Sequence, residues 1–93
     1  MSDKPLFSLG NIVATPAALN ALDEAGQAPQ ELLKRHHFGD WGDCSEEDKQ
    51  ENDQAVDNDL RIFSVYHTTN GQKIWIITEA DRSSTCILLP DEY

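Results

Sequence analysis

The sequence predicts an α+β domain, in which short N-terminal helices and an acidic helix pack on a three- to four-stranded antiparallel sheet ending in a C-terminal β-meander. Three observations carry this reading. Two segments that open on proline and close on glycine, with apolar residues three and four apart, fill residues 15–39. A carboxylate-rich run with helix-start chemistry follows them. From Leu60 onward the apolar period becomes alternating, and Asn70-Gly71 separates two β-branched and aromatic runs.

At 93 residues with 39% hydrophobic content, the chain can build one core but not two, so residues 1–93 are expected to form a single domain. Residues 1–5 read as a disordered tail, and Leu6 to Ala14 as a short extended segment interrupted by Gly10. Thr15 is a suitable N-cap for a helix with Pro16 in its first turn, and Gly26 ends it. A second helix runs from Pro29 to His37, with Lys34 and Arg35 in the last turn complementing its dipole, and Gly39 stops it. Leu19, Leu22, Leu32 and Leu33 are expected to face the core. Ser45 with Asp48 forms a variant capping box for a third helix from Glu46 to about Val56. That helix offers only Ala55 and Val56 for docking, and is otherwise polar all round.

Leu60 to His67, Lys73 to Thr78 and Thr85 to Leu89 then read as three strands. With Asn70 and Gly71 as the two loop residues, Tyr66 faces Trp75 and Val65 faces Ile76. This register places Phe63, Val65, His67, Ile74 and Ile76 on one face, and Ile62, Tyr66, Trp75 and Ile77 on the other. Both faces are apolar, so helices on one side leave a second face half-covered.

Charge narrows the classes of partner. The formal net charge is −10, and residues 40–59 hold nine acids against Lys49 alone. Such a field disfavours nucleic acid and anionic lipid, and favours a basic protein or a nucleic-acid-binding protein whose ligand the carboxylates imitate. Asp40, Trp41, Asp43, Glu46, Glu47, Asp48, Glu51 and Asp53 are the expected interaction residues, and a homodimer is compatible with this reading. No apolar run approaches the roughly 20 residues of a membrane span. Met1 to Thr15 lacks a signal-peptide pattern, and the two cysteines lie far apart. A reduced cytoplasmic protein with Cys86 in its core is therefore expected.

The densest chemistry lies in His36-His37-Phe38-Gly39-Asp40-Trp41-Gly42-Asp43-Cys44. His36, His37, Asp40, Asp43 and Cys44 could each ligate a metal, with His67 or Cys86 completing a zinc site. Successive helical histidines point about 100° apart, however, and no zinc or EF-hand spacing is present. Cys44 near a helix start could serve as a nucleophile, but Asp43, Glu46, Glu47 and Asp48 around it disfavour the thiolate. Trp41 fits either a core anchor or an exposed hot spot. No cofactor and no catalytic residue are expected. The leading function is a non-enzymatic acidic interaction module, a DNA mimic or anti-defence accessory. The alternative is a small metal-binding protein or hydrolase centred on the His36 to Cys44 loop.

Leu9 to Pro16, Gly39-Asp40-Trp41-Gly42-Asp43, Asn52, Lys73 to Ser83 and Leu88-Leu89-Pro90 together resemble a family of small proteobacterial proteins often carried on plasmids and other mobile elements. Some members bear the label of a type I restriction modification subunit. This chain has neither a glycine-rich cofactor loop nor an Asn-Pro-Pro-aromatic motif. It also departs from the family at Cys44, where an apolar residue is usual. The resemblance implies no catalytic residues. It does imply a mobile-element setting, in which acting against host defence is a natural role.

Overall fold

The computed structural model describes residues 4–93, so residues 1–3 of the expected tail lie outside the described residues. Strand β1 (Asn11–Ala14) leads into helices α1 (Pro16–Glu24) and α2 (Pro29–His37). Helix α3 (Glu46–Asn58) precedes strands β2 (Ile62–His67), β3 (Lys73–Thr78) and β4 (Ser84–Leu88), and a short 3-10 turn spans Pro90–Glu92. The fold is α+β. Its sheet has the order β1-β4-β3-β2 and is mixed rather than purely antiparallel, because β1 runs parallel to β4. The expected meander is present in β2, β3 and β4, which pair antiparallel. Helices α1, α2 and α3 lie between the two edge strands in sequence, and this long crossover is what permits a parallel β1–β4 pair.

The expected caps form. Thr15 Oγ1 accepts from Ala18 N–H at 3.1 Å, and Ser45 Oγ accepts from Asp48 N–H at 3.1 Å. The core face of α1 is Ala18, Ala21 and Leu22, which meet Leu32 and Leu33 of α2 and Tyr66, Ile74, Ile76 and Ile87 of the sheet. Leu19, expected inside, stays 43% exposed, because the alanines carry the inward stripe one position further round the helix.

The hairpin register differs from expectation by one residue. Val65 pairs with Trp75, Tyr66 with Ile74 and His67 with Lys73. The ladder closes on Thr68, whose N–H donates to Gln72 O at 2.8 Å, leaving the three residues Thr69, Asn70 and Gly71 as the loop. Tertiary bonds fix that choice: Thr69 Oγ1 donates to Ala25 O, and Thr69 N–H donates to Gln27 Oε1. The slip re-sorts the faces. Ile62, Ser64, Tyr66, Ile74, Ile76 and Thr78 are buried beneath the helices, and Phe63, Val65 and Trp75 are half-buried on the other face. Cys86, expected in the core, is half-buried on that outer face beside Ile77.

Candidate functional site

An acidic helix with so few apolar contacts must be held by polar ones, and α3 is fastened at four points. Ser45 caps its start. In its middle, the Asn52 carboxamide docks on the outer edge of β2, with Nδ2 donating to Phe63 O at 2.6 Å and Oδ1 accepting from Phe63 N–H at 3.1 Å. Asn52 is 5% exposed and shares an inward face with buried Ala55. Asp53 Oδ1 accepts from Trp41 Nε1–H at 2.9 Å. At the far end, Arg82 Nη2 donates to Ala55 O at 2.8 Å while Nη1 donates to Leu60 O at 2.7 Å. Arg82 thus supplies a cation where the helix dipole is negative.

The Gly39 to Asp43 loop completes the same edge. Val65 N–H donates to Trp41 O at 3.2 Å and Asp43 N–H donates to Val65 O at 2.6 Å, an isolated parallel bridge at Gly42. Gly42 has φ +75°, and a Cβ there would collide with Val65 O and the Tyr66 ring. A glycine is therefore required. At Phe63 and Val65 the bond-forming groups of β2 that face away from β3 are taken up, by Asn52 and by this loop respectively.

The candidate residues of the loop part company. Trp41 is 4% exposed and packs with Cys44, Ala55 and Ile62, so it is a core anchor rather than an exposed hot spot. Asp40 is held below the ordinary carboxylate range, chiefly by Arg35, whose Nε donates to it at 2.7 Å. Arg35 therefore spends its charge on Asp40, and its guanidinium lies over the Tyr66 ring, 4.7 Å from the centroid. Asp43 meets His67 Nδ1 at 2.7 Å at the surface.

His36 is fully buried, with Nδ1 2.6 Å from Ser64 Oγ and Nε2 2.9 Å from Thr78 Oγ1. Thr78 Oγ1 lies 2.7 Å from Thr85 Oγ1, and Thr85 donates to Leu9 O at 2.8 Å. The terminal carbonyl fixes the direction of every proton in this chain. Thr85 gives its hydrogen to Leu9, so Thr78 donates to Thr85 and accepts from His36 Nε2–H. Ser64 then donates to Nδ1. Both ring nitrogens are consumed by hydroxyls, and burial pushes the His36 pKa down to about 3, with His37 adding a smaller repulsion. The ring is neutral, oriented and closed to a metal.

Cys44 is buried, and its Sγ–H donates to Trp41 O at 3.3 Å. Burial raises its pKa, with Asp48 and Asp43 adding in the same direction, which keeps the thiol protonated. Among the described residues, no three His, Cys, Asp or Glu side chains converge as metal ligands. His36, His37, Asp40, Asp43 and Cys44 are thus adjacent in sequence but dispersed in function. Sequence reasoning assigned no role to Asn52, Ser64, Thr78 or Arg82. Asn52 alone left a signal, because it stands three and four residues before Ala55 and Val56 on an otherwise polar helix.

The remaining acids form the outward surface of α3. Glu46, Glu47, Asp48, Glu51, Asp53 and Asp57 are all exposed, and Lys49, paired with Glu46 at 3.6 Å, is the one base on the helix. The 13-residue helix spans about 20 Å, giving one net negative charge per ~4 Å of axis, close to the ~3.4 Å spacing along one DNA strand. The fold and this surface define an α+β protein that clamps a carboxylate-bearing helix to the edge of its sheet. No family model, curated protein or solved structure matches the chain. No described helix is long and apolar enough to cross a membrane.

Proposed function

We propose that this protein is a non-enzymatic interaction module whose α3 face binds a basic protein, and that it does so as a substitute for nucleic acid. One observation carries the reading: six exposed carboxylates ride on a helix fixed by side-chain bonds at its start, middle and end. A helix kept only for solubility does not need such clamping. Pre-ordering the carboxylates lowers the entropy lost when a rigid basic groove closes on them. Their linear density suits a partner that tracks phosphates. The mobile-element resemblance suggests a nucleic-acid-binding protein of host defence as the target.

The test is capture from a proteobacterial lysate, comparing the native chain with the triple variant Glu47→Gln, Asp48→Asn, Glu51→Gln, each capture challenged with duplex DNA and with rising salt. The captured protein should be displaced by duplex, weakened by salt and lost with the triple variant. A captured set indifferent to both duplex and the substitutions would overturn the proposal.

A further inference from the structure

The two edges of the sheet are treated in opposite ways. On β2, the outward backbone groups of Phe63 and Val65 are bonded by Asn52 and by the Trp41 to Asp43 loop. On β1, Asn11 N–H donates to Ser83 O and Thr15 N–H donates to Ile87 O, both toward β4. The two-residue alternation of a strand then aims the N–H and C=O of Ile12 and Ala14 outward. Among the described residues no strand pairs with that side. The devices that normally protect an edge are missing as well: β1 has no lysine, no proline and no inward charge. Ile12 is 52% and Val13 51% exposed.

The surroundings of this edge specify what meets it. From Pro5 to Leu22 the sequence holds no charged residue, in a chain where 26% of residues are charged and the net charge is −10. The exposed side chains of that run include apolar Ile12, Val13, Pro16, Ala17 and Leu19, and its exposed polar ones, Ser8, Asn11 and Asn20, are all uncharged. The strand itself offers a basic partner no charge, and the carboxylate at its end, Glu92, already accepts from Thr15 Oγ1 at 2.7 Å and Leu89 N–H at 2.9 Å. A second copy presents the same uncharged strand, and two-fold symmetry makes the pairing antiparallel and self-complementary.

We propose that the protein forms a two-fold dimer through the outer edge of β1, joining two four-stranded sheets into one of eight. Charge permits it. Helix α3 lies beyond β2, at the far side of each sheet. In the dimer the two β2 strands are seven strand spacings apart, about 34 Å, or four Debye lengths at physiological salt. The acidic helices therefore do not oppose association, and both remain free for partners. A rotation axis normal to the sheet keeps the helices of both copies on one side, with Leu19 and Pro16 of α1 beside the seam.

A four-residue strand makes a small interface, so the dimer is weak and the test must reach high concentration. Sedimentation velocity from micromolar to millimolar protein should show the mass rising from 10.4 kDa to twice that value, undiminished by high salt. The Ile12→Lys and Val13→Lys variants, changed at exposed positions, should keep the native circular dichroism and stay at one chain mass. Independently, the Ile12 and Ala14 amides of the native chain should gain hydrogen-exchange protection as concentration rises. A single chain mass throughout, a dimer unchanged by both lysine variants, or Ile12 and Ala14 amides exchanging freely in the dimer would each overturn the proposal. Loss of binding by the α3 triple variant leaves this result untouched, so the two readings fail separately.

Discussion

Asn52 acts as a one-residue strand: its carboxamide donates to Phe63 O at 2.6 Å and accepts from Phe63 N–H at 3.1 Å, as a neighbouring peptide would. No other residue type of this size offers that donor and acceptor pair in one plane. Asn52→Ala should cost about 2–3 kcal/mol, since it leaves a partly buried N–H and C=O unpaired. Asn52→Asp, nearly isosteric, should cost at least as much above the carboxylate pKa, because it sets an anion against the Phe63 carbonyl. Urea unfolding checks both. An aspartate variant as stable as the native chain at neutral pH would mean that the Phe63 carbonyl contact contributes nothing.

The buried hydroxyl chain through His36 predicts a pH dependence. The folded His36 has a pKa of about 3 against an ordinary 6.5, so the unfolded chain binds the proton first. The folded state keeps its full stability above pH ~6.5 and loses it progressively as pH falls toward 3, at up to ~1.4 kcal/mol per pH unit. Between pH 7 and pH 4.5 the loss should reach about 2–3 kcal/mol. Asp40 works in a separate window: its carboxyl is depressed chiefly by Arg35, so its contribution fades only below the ordinary value of 3.8. Denaturant midpoints across this range check the prediction, with His36→Gln as control. That variant should start less stable but show a flat profile from pH 6.5 to pH 4.5.

How far the sequence could be read depended on how local each determinant was. Thr15, Ser45, Pro16 and Gly39 act within one turn of chain, so the helices were legible close to their ends. The hairpin was legible too, but its register was not, because Ala25 and Gln27 hold Thr69 from more than forty residues away. The same holds for β1: an Asn-Ile-Val-Ala segment does not reveal that it will run parallel to β4. At the site, composition marked the acidic face correctly as a surface, since repulsion leaves so many carboxylates no other place. Composition misled for His36, whereas for Cys44 the neighbouring acids already pointed to a protonated thiol, to which burial adds. The reactivity of His36 in sequence is cancelled by burial, and the hydroxyls that satisfy it come from Ser64 and Thr78 on distant strands.

Gly42 is predicted to tolerate no side chain. Gly42→Ala meets both a positive φ and a collision with Val65 O, so the loop must withdraw from β2. A cost above ~2 kcal/mol is expected from strain and from the lost Trp41 and Asp43 backbone bonds together. Hydrogen exchange should then speed up at Val65 and Asp43 ahead of β4. Uniform loss of protection across the sheet would show instead that the loop and the core unfold as one unit.

Trp41 and Asp53 supply the last test, because their bond joins the loop to the acidic face. Trp41→Phe keeps most of the buried ring but removes the Nε1–H donor; Asp53→Asn keeps an acceptor but removes the charge. A hydrogen bond to a carboxylate contributes about 1.5–3 kcal/mol, more than a neutral one. Each single variant should therefore cost about 1 kcal/mol or more, and the double variant less than their sum, with a coupling near 1 kcal/mol. The pair also separates anchoring from recognition. Trp41→Phe leaves every carboxylate of α3 in place, so partner binding should weaken only as far as the helix loosens. Asp53→Asn removes one charge from the display, and should lower the salt sensitivity of binding as well. If Trp41→Phe abolished partner capture while the fold stayed intact, the indole would be part of the recognised surface despite its burial, and the carboxylates alone would not explain binding.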